Sequence, residues 1–205
     1  MSSPLPAVLA FSASDPTGGA GMQADLLTIA SLGCHPLSVL TAFTAQDTRG
    51  VDALIAVEPA WITRQARMLL DDIPVAAFKL GVLGSARNAE AVAAILASHP
   101  RIPVVLDPVL ASGRGDALSD SETVQALRSV LLPLATVLTP NSLEARRLAL
   151  AAPDASLSDC ARVLTGLGCK TVLITGTHEP GAQGGGDNAR PGQFIRKRCG
   201  ERRCP

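Results

Sequence analysis

Six short apolar runs recur along the chain, and each gives way at once to small or polar residues: AVLAF before SASD, LSVLTAF before TAQD, VAAFKL before GVLG, PVVL before DPV, ATVL before TPN and TVLI before TGT. Short runs rich in valine, leucine and isoleucine suit strands buried on both faces, as found in parallel sheets with helices on either side. Segments of helical period lie between them. Met22 to Leu32 stops at Gly33, and Pro59 to Leu70 carries proline early in its first turn. Ser119 to Leu132 opens with serine, has Glu122 three residues on, and then spaces Val124, Leu127, Val130 and Leu131 helically, which predicts a capped amphipathic helix. The alternation predicts an α/β fold with a mostly parallel central sheet and helices on both faces. Ligands of such sheets bind beyond the carboxyl ends of the strands, so the polar residues after the six runs are expected to share one rim.

After His178 the periodicity stops. GAQGGGDNARPGQFIRKRCGERRCP has abundant glycine, clustered arginine and neither helical nor strand period. The expected organisation is therefore an α/β domain over 1–179 and an irregular Gly/Arg-rich tail over 180–205. Contact with nucleic acid and simple solvation both suit such a tail, and composition favours the second.

Composition narrows the function classes. At 205 residues and 47% hydrophobic content the chain can bury one sizeable core. Lysine plus arginine balances aspartate plus glutamate at 18 each, so nothing in the overall charge draws the protein to nucleic acid or an acidic membrane, and a small-molecule partner fits better. No apolar run approaches the roughly 18 residues of a membrane span, and the amino end lacks a signal-like stretch, so a cytoplasmic protein is expected. Cys34, Cys160 and Cys169 sit singly in apolar surroundings, as reduced core thiols do.

The chemistry-bearing residues follow the runs. Ser14 to Gly21, SDPTGGAG, joins the first strand to the first helix, and its glycines, Gly19 among them, allow close backbone approach to a ligand. No Walker lysine follows and the spacing is not GxGxxG; an ordinary tight turn is the plainer alternative. Asp25 lies one helical turn further, where a carboxylate either stabilises the helix start or faces the rim. Gln46 offers a donor and an acceptor on one planar amide, suited to the edge of an aminated heterocycle. Asp107 at one strand end, with Asn141 and Glu144 after the next, gives two carboxylates and an amide that suit magnesium bridged to phosphates better than zinc; Asn141 could equally cap the following helix.

In order and spacing, SASDPTGGAGMQADL, TAFTAQDT, KLGVLG, VVLDPVL, TPNSLEA and LITGTHE resemble the hydroxymethylpyrimidine and phosphomethylpyrimidine kinases of thiamine biosynthesis, a branch of the ribokinase-like superfamily, over about residues 6 to 179. The resemblance implies a ribokinase-like three-layer fold, here without its C-terminal part. It implies transfer of the terminal phosphoryl of ATP, with magnesium (Mg2+), to 4-amino-5-hydroxymethyl-2-methylpyrimidine or its monophosphate. It also implies that Asp25, Gln46 and Gly19 meet the pyrimidine and that Val82 forms its apolar wall. Asp107 and Glu144 would hold the metal, with Asn141, Thr175 and Thr177 on the nucleotide. A homodimer stays open.

One departure matters. The family's glycine-rich turn, GSGC or GTGC, opens a helix whose amides stabilise the transferring phosphoryl and ends in the residue that acts as base. Here only Gly184-Gly185-Gly186-Asp187 bears a likeness; it comes too soon after Thr177, and Pro191 and a charged run follow where an apolar helix belongs. Asp187 stands as a weak candidate base, and no catalytic residue is assigned. The expectation is a chain that leaves the family's reading frame, or is cut short, near Pro180 and transfers little or no phosphate. A noncatalytic pyrimidine-binding remnant and a relative acting on pyridoxal or a sugar remain the alternatives.

Overall fold

The computed structural model describes residues 4–112, 115, 118–175 and 193–197. Strands β1 (Ala7–Ser14), β2 (His35–Gln46), β4 (Val75–Leu80), β5 (Val104–Leu106), β6 (Val137–Leu138) and β7 (Thr171–Thr175) coincide with the six apolar runs. All six lie parallel to their neighbours among them, in the sheet order β3-β2-β1-β4-β5-β6-β7-β8. Helices α1 (Gly21–Ser31), α2 (Pro59–Asp72), α3 (Ala86–Ala97), α4 (Ser121–Ala126), α5 (Ser142–Ala149) and α6 (Leu157–Gly166) fill the connections. The fold is the expected ribokinase-like one.

Two strands were not anticipated. β3 (Val51–Ala56) pairs antiparallel with β2 at the sheet edge, and its sequence VDALIA shows neither a buried run nor clean alternation because most of the strand is exposed. β8 (Gln193–Lys197) pairs antiparallel with β7, so a strand stands inside the segment expected to be irregular. A third difference concerns the capped helix. Its N-cap is Asp120, whose side chain accepts from the Thr123 amide at 2.7 Å, and Ser119 instead donates to the Val109 carbonyl. Aspartate reaches the amide three residues on as well as serine does, so the cap moved by one position.

Pleating sends alternate side chains to opposite faces of the sheet. On one face Phe11, Phe78, Leu80 and Leu106 are fully buried, with Ile62 of α2 and Val92 of α3 in the same core. Phe78 lies 6.2 Å from Phe11 and meets His99, just after α3, edge-on. The other face carries Ser12, Ser14, Lys79, Gly81 and Asp107 toward a cavity beside α1. Cys160 and Cys169 are buried free thiols and Cys34 a half-buried one, as expected. Among the described residues no helix is long and apolar enough to cross a membrane.

Candidate active site

The strand ends are held level by backbone bonds that step across the sheet. Gly81 donates to Phe11 at 2.8 Å, Asp107 to Leu80 at 2.9 Å and Thr139 to Leu106 at 3.0 Å. Thr175 donates to Pro140 at 3.0 Å and bridges in parallel with Asn141. The polar residues that follow each strand are thereby set side by side.

A cavity of about 350 Å³ opens at this rim, and Asp25, Gln46, Val82 and Asp107 all line it. Its apolar wall is the small cluster of Ala13, Ala42 and Val82, backed by Leu54, Val109 and Leu118. Thr44 fixes Gln46 by donating to its Oε1 at 2.8 Å and to the Ser14 carbonyl at 2.7 Å, and only one donor can serve both, so the hydroxyl proton is shared between them. Gln46 lines the cavity at the strand end.

The turn from Ser14 to Gly21 is organised by a buried carboxylate. Asp15 accepts from Thr17 N through Oδ1 and from Ala20 N through Oδ2, both at 2.8 Å, while Gln23 Oε1 accepts from the Asp15 amide. Gly21 has φ +57 and its absent Cβ would stand 2.6 Å from the Ala13 carbonyl, so only glycine fits there. Ala20 and Gly21 line the cavity, whereas Gly19 does not and instead donates to Thr17 Oγ1.

Sequence reading passed over Lys79, which the structure places in the cavity. Its Nζ lies 2.8 Å from Asp25 Oδ2, tying β4 to α1. A lysine inside an otherwise apolar run was the available signal, because such a charge is rarely buried without a partner. Gly81 and Asn88 were also passed over. A Cβ at Gly81 would come 2.5 Å from Ser12 Oγ and 2.9 Å from Lys79 Nζ. Asn88, fully buried on α3, donates to the carbonyls of Thr41 and Leu83 and so fixes the loop that carries Val82. Gly81→Ala is expected to weaken ligand binding about tenfold by intruding on this space, and adding Ser12→Ala should recover part of the loss; calorimetric titration of both variants checks it.

Asn141 and Glu144 form a capping box at the start of α5. The Glu144 amide donates to Asn141 Oδ1 at 2.9 Å and Asn141 N donates to Glu144 Oε2 at 2.8 Å. Capping does not exhaust Glu144, since its Oε1 reaches across to the Leu110 amide at 3.3 Å, beside Asp107. Burial pushes the Glu144 carboxyl up to about 7, against the Asn141 and Leu110 amides that favour its ionised form, and the Asp107 charge adds to the rise. Burial also raises Asp107; the Lys79 charge opposes this, the Asp25 charge adds to it and the Thr139 hydroxyl opposes it. Two crowded carboxylates that resist ionising together are a donor set suited to a hard divalent cation, which commonly takes one or two protein carboxylates and completes its shell with phosphates and water. Among the described residues no group of three or more acidic, histidine or cysteine side chains is gathered for a metal.

Because the folded pKa of Glu144 exceeds its ordinary 4.5, stability is fully present below that pH and is lost as pH rises through about 7. The loss should reach up to about 3 kcal/mol without metal. Chemical denaturation across this range checks the fall, which Glu144→Gln should flatten. Added magnesium should stabilise the protein more at the alkaline end, where the carboxylates are free of protons.

Thr175 is half-buried beside Asn141. Thr177 and Asp187 lie outside the described residues.

A profile of the family described as Phosphomethylpyrimidine kinase matches residues 15–197. The chain belongs to the phosphomethylpyrimidine kinase family. A hydroxymethylpyrimidine/phosphomethylpyrimidine kinase of Streptomyces coelicolor is 43% identical over 178 residues, covering 86% of this chain and 66% of that protein. The phosphomethylpyrimidine kinase structure from Clostridium difficile superposes with a TM-score of 0.78 at 32% identity, over 95% of this chain and 84% of that one. A Staphylococcus aureus pyridoxal kinase in complex with AMP-PCP and pyridoxal gives 0.72 at 30% identity, over 84% and 63%. The chain spans about two thirds or less of the length of the curated relatives it matches. Within this phosphomethylpyrimidine kinase family frame, the cavity and the carboxylate pair occupy adjoining stretches of one rim.

Proposed function

We propose that this chain binds 4-amino-5-hydroxymethyl-2-methylpyrimidine or its monophosphate in the cavity at the ends of β1, β2 and β4, as the acceptor half of an ATP-dependent phosphoryl transfer in thiamine biosynthesis. The observation that carries the reading is the convergence of Asp25, Gln46 and Val82 on one cavity that Asp107 also lines. Asp25 offers a carboxylate to the exocyclic amine and Gln46 offers an amide to the ring edge, while Ala13, Val82 and Val109 pack the ring faces. The hydroxymethyl group then points along the rim toward Asp107. Asn141 and Thr175, bridged to each other, would take the nucleotide side. Asp107 and Glu144 would hold magnesium, which when bound neutralises charge on the nucleotide phosphates. Phosphoryl transfer requires positioning and charge neutralisation above all, and these residues provide both without a covalent intermediate.

The proposed role of this chain is binding, with little or no turnover, because the family's glycine-rich base motif is not found in its sequence. Calorimetry with the pyrimidine alcohol, paired with an ATP turnover assay, tests the reading. Saturable binding at one site is expected, with little or no product formed. Absence of binding to the pyrimidine alongside binding of pyridoxal would replace this reading with that of a pyridoxal-directed relative.

A further inference from the structure

The described lining of the cavity contains three carboxylates, Asp15, Asp25 and Asp107, against one cation, Lys79. Asp15 is already engaged by two backbone amides of its own turn. Lys79 gives one hydrogen bond, to Asp25 Oδ2, and among the described residues its ammonium group makes no second one. Two of its three N–H directions are therefore available to a ligand. Gly81, one pleat nearer the rim on the same face, keeps the approach open, since a Cβ there would stand 2.9 Å from Nζ. β4 lies between β1 and β5 in the sheet, so the ammonium sits between the proposed pyrimidine contacts and Asp107. That is where a phosphate on the substrate's own hydroxymethyl arm would lie.

We propose that Lys79 recognises the phosphate of the phosphorylated pyrimidine alcohol and thereby sets the cavity's preference between the alcohol and its monophosphate. The inference rests on the pyrimidine reading above. A phosphate monoester is close to a dianion at neutral pH, and the other charges lining this cavity would repel it. Charge-assisted bonds from an ammonium offset that repulsion, whereas the neutral alcohol has no need of them. Lys79 thus acts as a specificity residue for one of the two substrates, and for the other only as the partner that orients Asp25.

Calorimetric titration of the 205-residue chain with each ligand, in the absence of nucleotide and metal, tests this. Lys79→Met is expected to weaken monophosphate binding about a hundredfold and alcohol binding less than about fivefold. Lys79→Arg should restore most of the monophosphate affinity. Lys79→Gln, which keeps a donor for Asp25 without the charge, should show the same selective loss and serves if the methionine variant does not fold. Equal losses for both ligands would overturn the proposal, leaving Lys79 as a structural partner of Asp25. Binding of the alcohol but not the monophosphate by the unaltered chain would overturn it while leaving the functional reading intact. Binding of neither would overturn both.

Discussion

Asp25→Ala is expected to lower affinity for the pyrimidine alcohol at least about a hundredfold. The substitution removes the carboxylate proposed to meet the exocyclic amine, and it also strands the Lys79 ammonium, whose side chain is only 22% exposed, without its partner. Breaking an ion pair this far from solvent costs more than forming it contributes: removing one member leaves an uncompensated charge, while removing both leaves an apolar gap. The double variant Asp25→Ala/Lys79→Met should therefore regain stability relative to Asp25→Ala and yet bind no better. Denaturation and calorimetry on the same four proteins close the cycle. A double variant that is no more stable than Asp25→Ala would show that the pair does not couple.

Phe78→Ala should destabilise the fold by about 3–5 kcal/mol, a large share of the 5–15 kcal/mol typical of a whole domain. Phe78 is fully buried and packed between Phe11 and His99. It also neighbours Lys79 in the chain, on the opposite face of β4, so a cavity behind the strand would loosen the register that presents Lys79 and Gly81. Phe78→Leu, closer in volume, should cost about 1.5 kcal/mol or less. Urea titration compares the two, and a small loss for the alanine variant would mean that β4 is not anchored through this ring.

How much of this was legible in the sequence depended on burial. The six parallel strands announced themselves because each is a short apolar run with residues buried in the core, and the turn glycines and proline placed α1 and α2 within a residue or two. β3 gave no such signal, since an edge strand with most of its side chains in water need not look like a strand at all. Asp25, Gln46 and Asp107 were findable from their places at a strand end or one turn beyond the glycines that precede α1, and Val82 through the family resemblance. Lys79, a lone charge in an apolar run, carried a signal too but was passed over, because it precedes the end of its strand. Its role became visible only when α1 brought Asp25 against it. Glu144 shows the opposite limit: its place after a strand marked it as a metal-side carboxylate, with capping expected of Asn141 alone, and the structure makes it part of the capping box while the Asp107 charge adds to the rise of its pKa.

The strand order has one further consequence. Gln46 ends β2 and Asn141 follows β6, and between them the sheet places β1, β4 and β5. Four steps of about 4.8 Å make a fixed gauge of roughly 19 Å. A pyrimidine is too short to touch both ends, and so is a triphosphate laid alone against the far half. On the proposed reading, only acceptor and nucleotide placed head to head would fill the length, so the backbone itself would set how far the two stand apart.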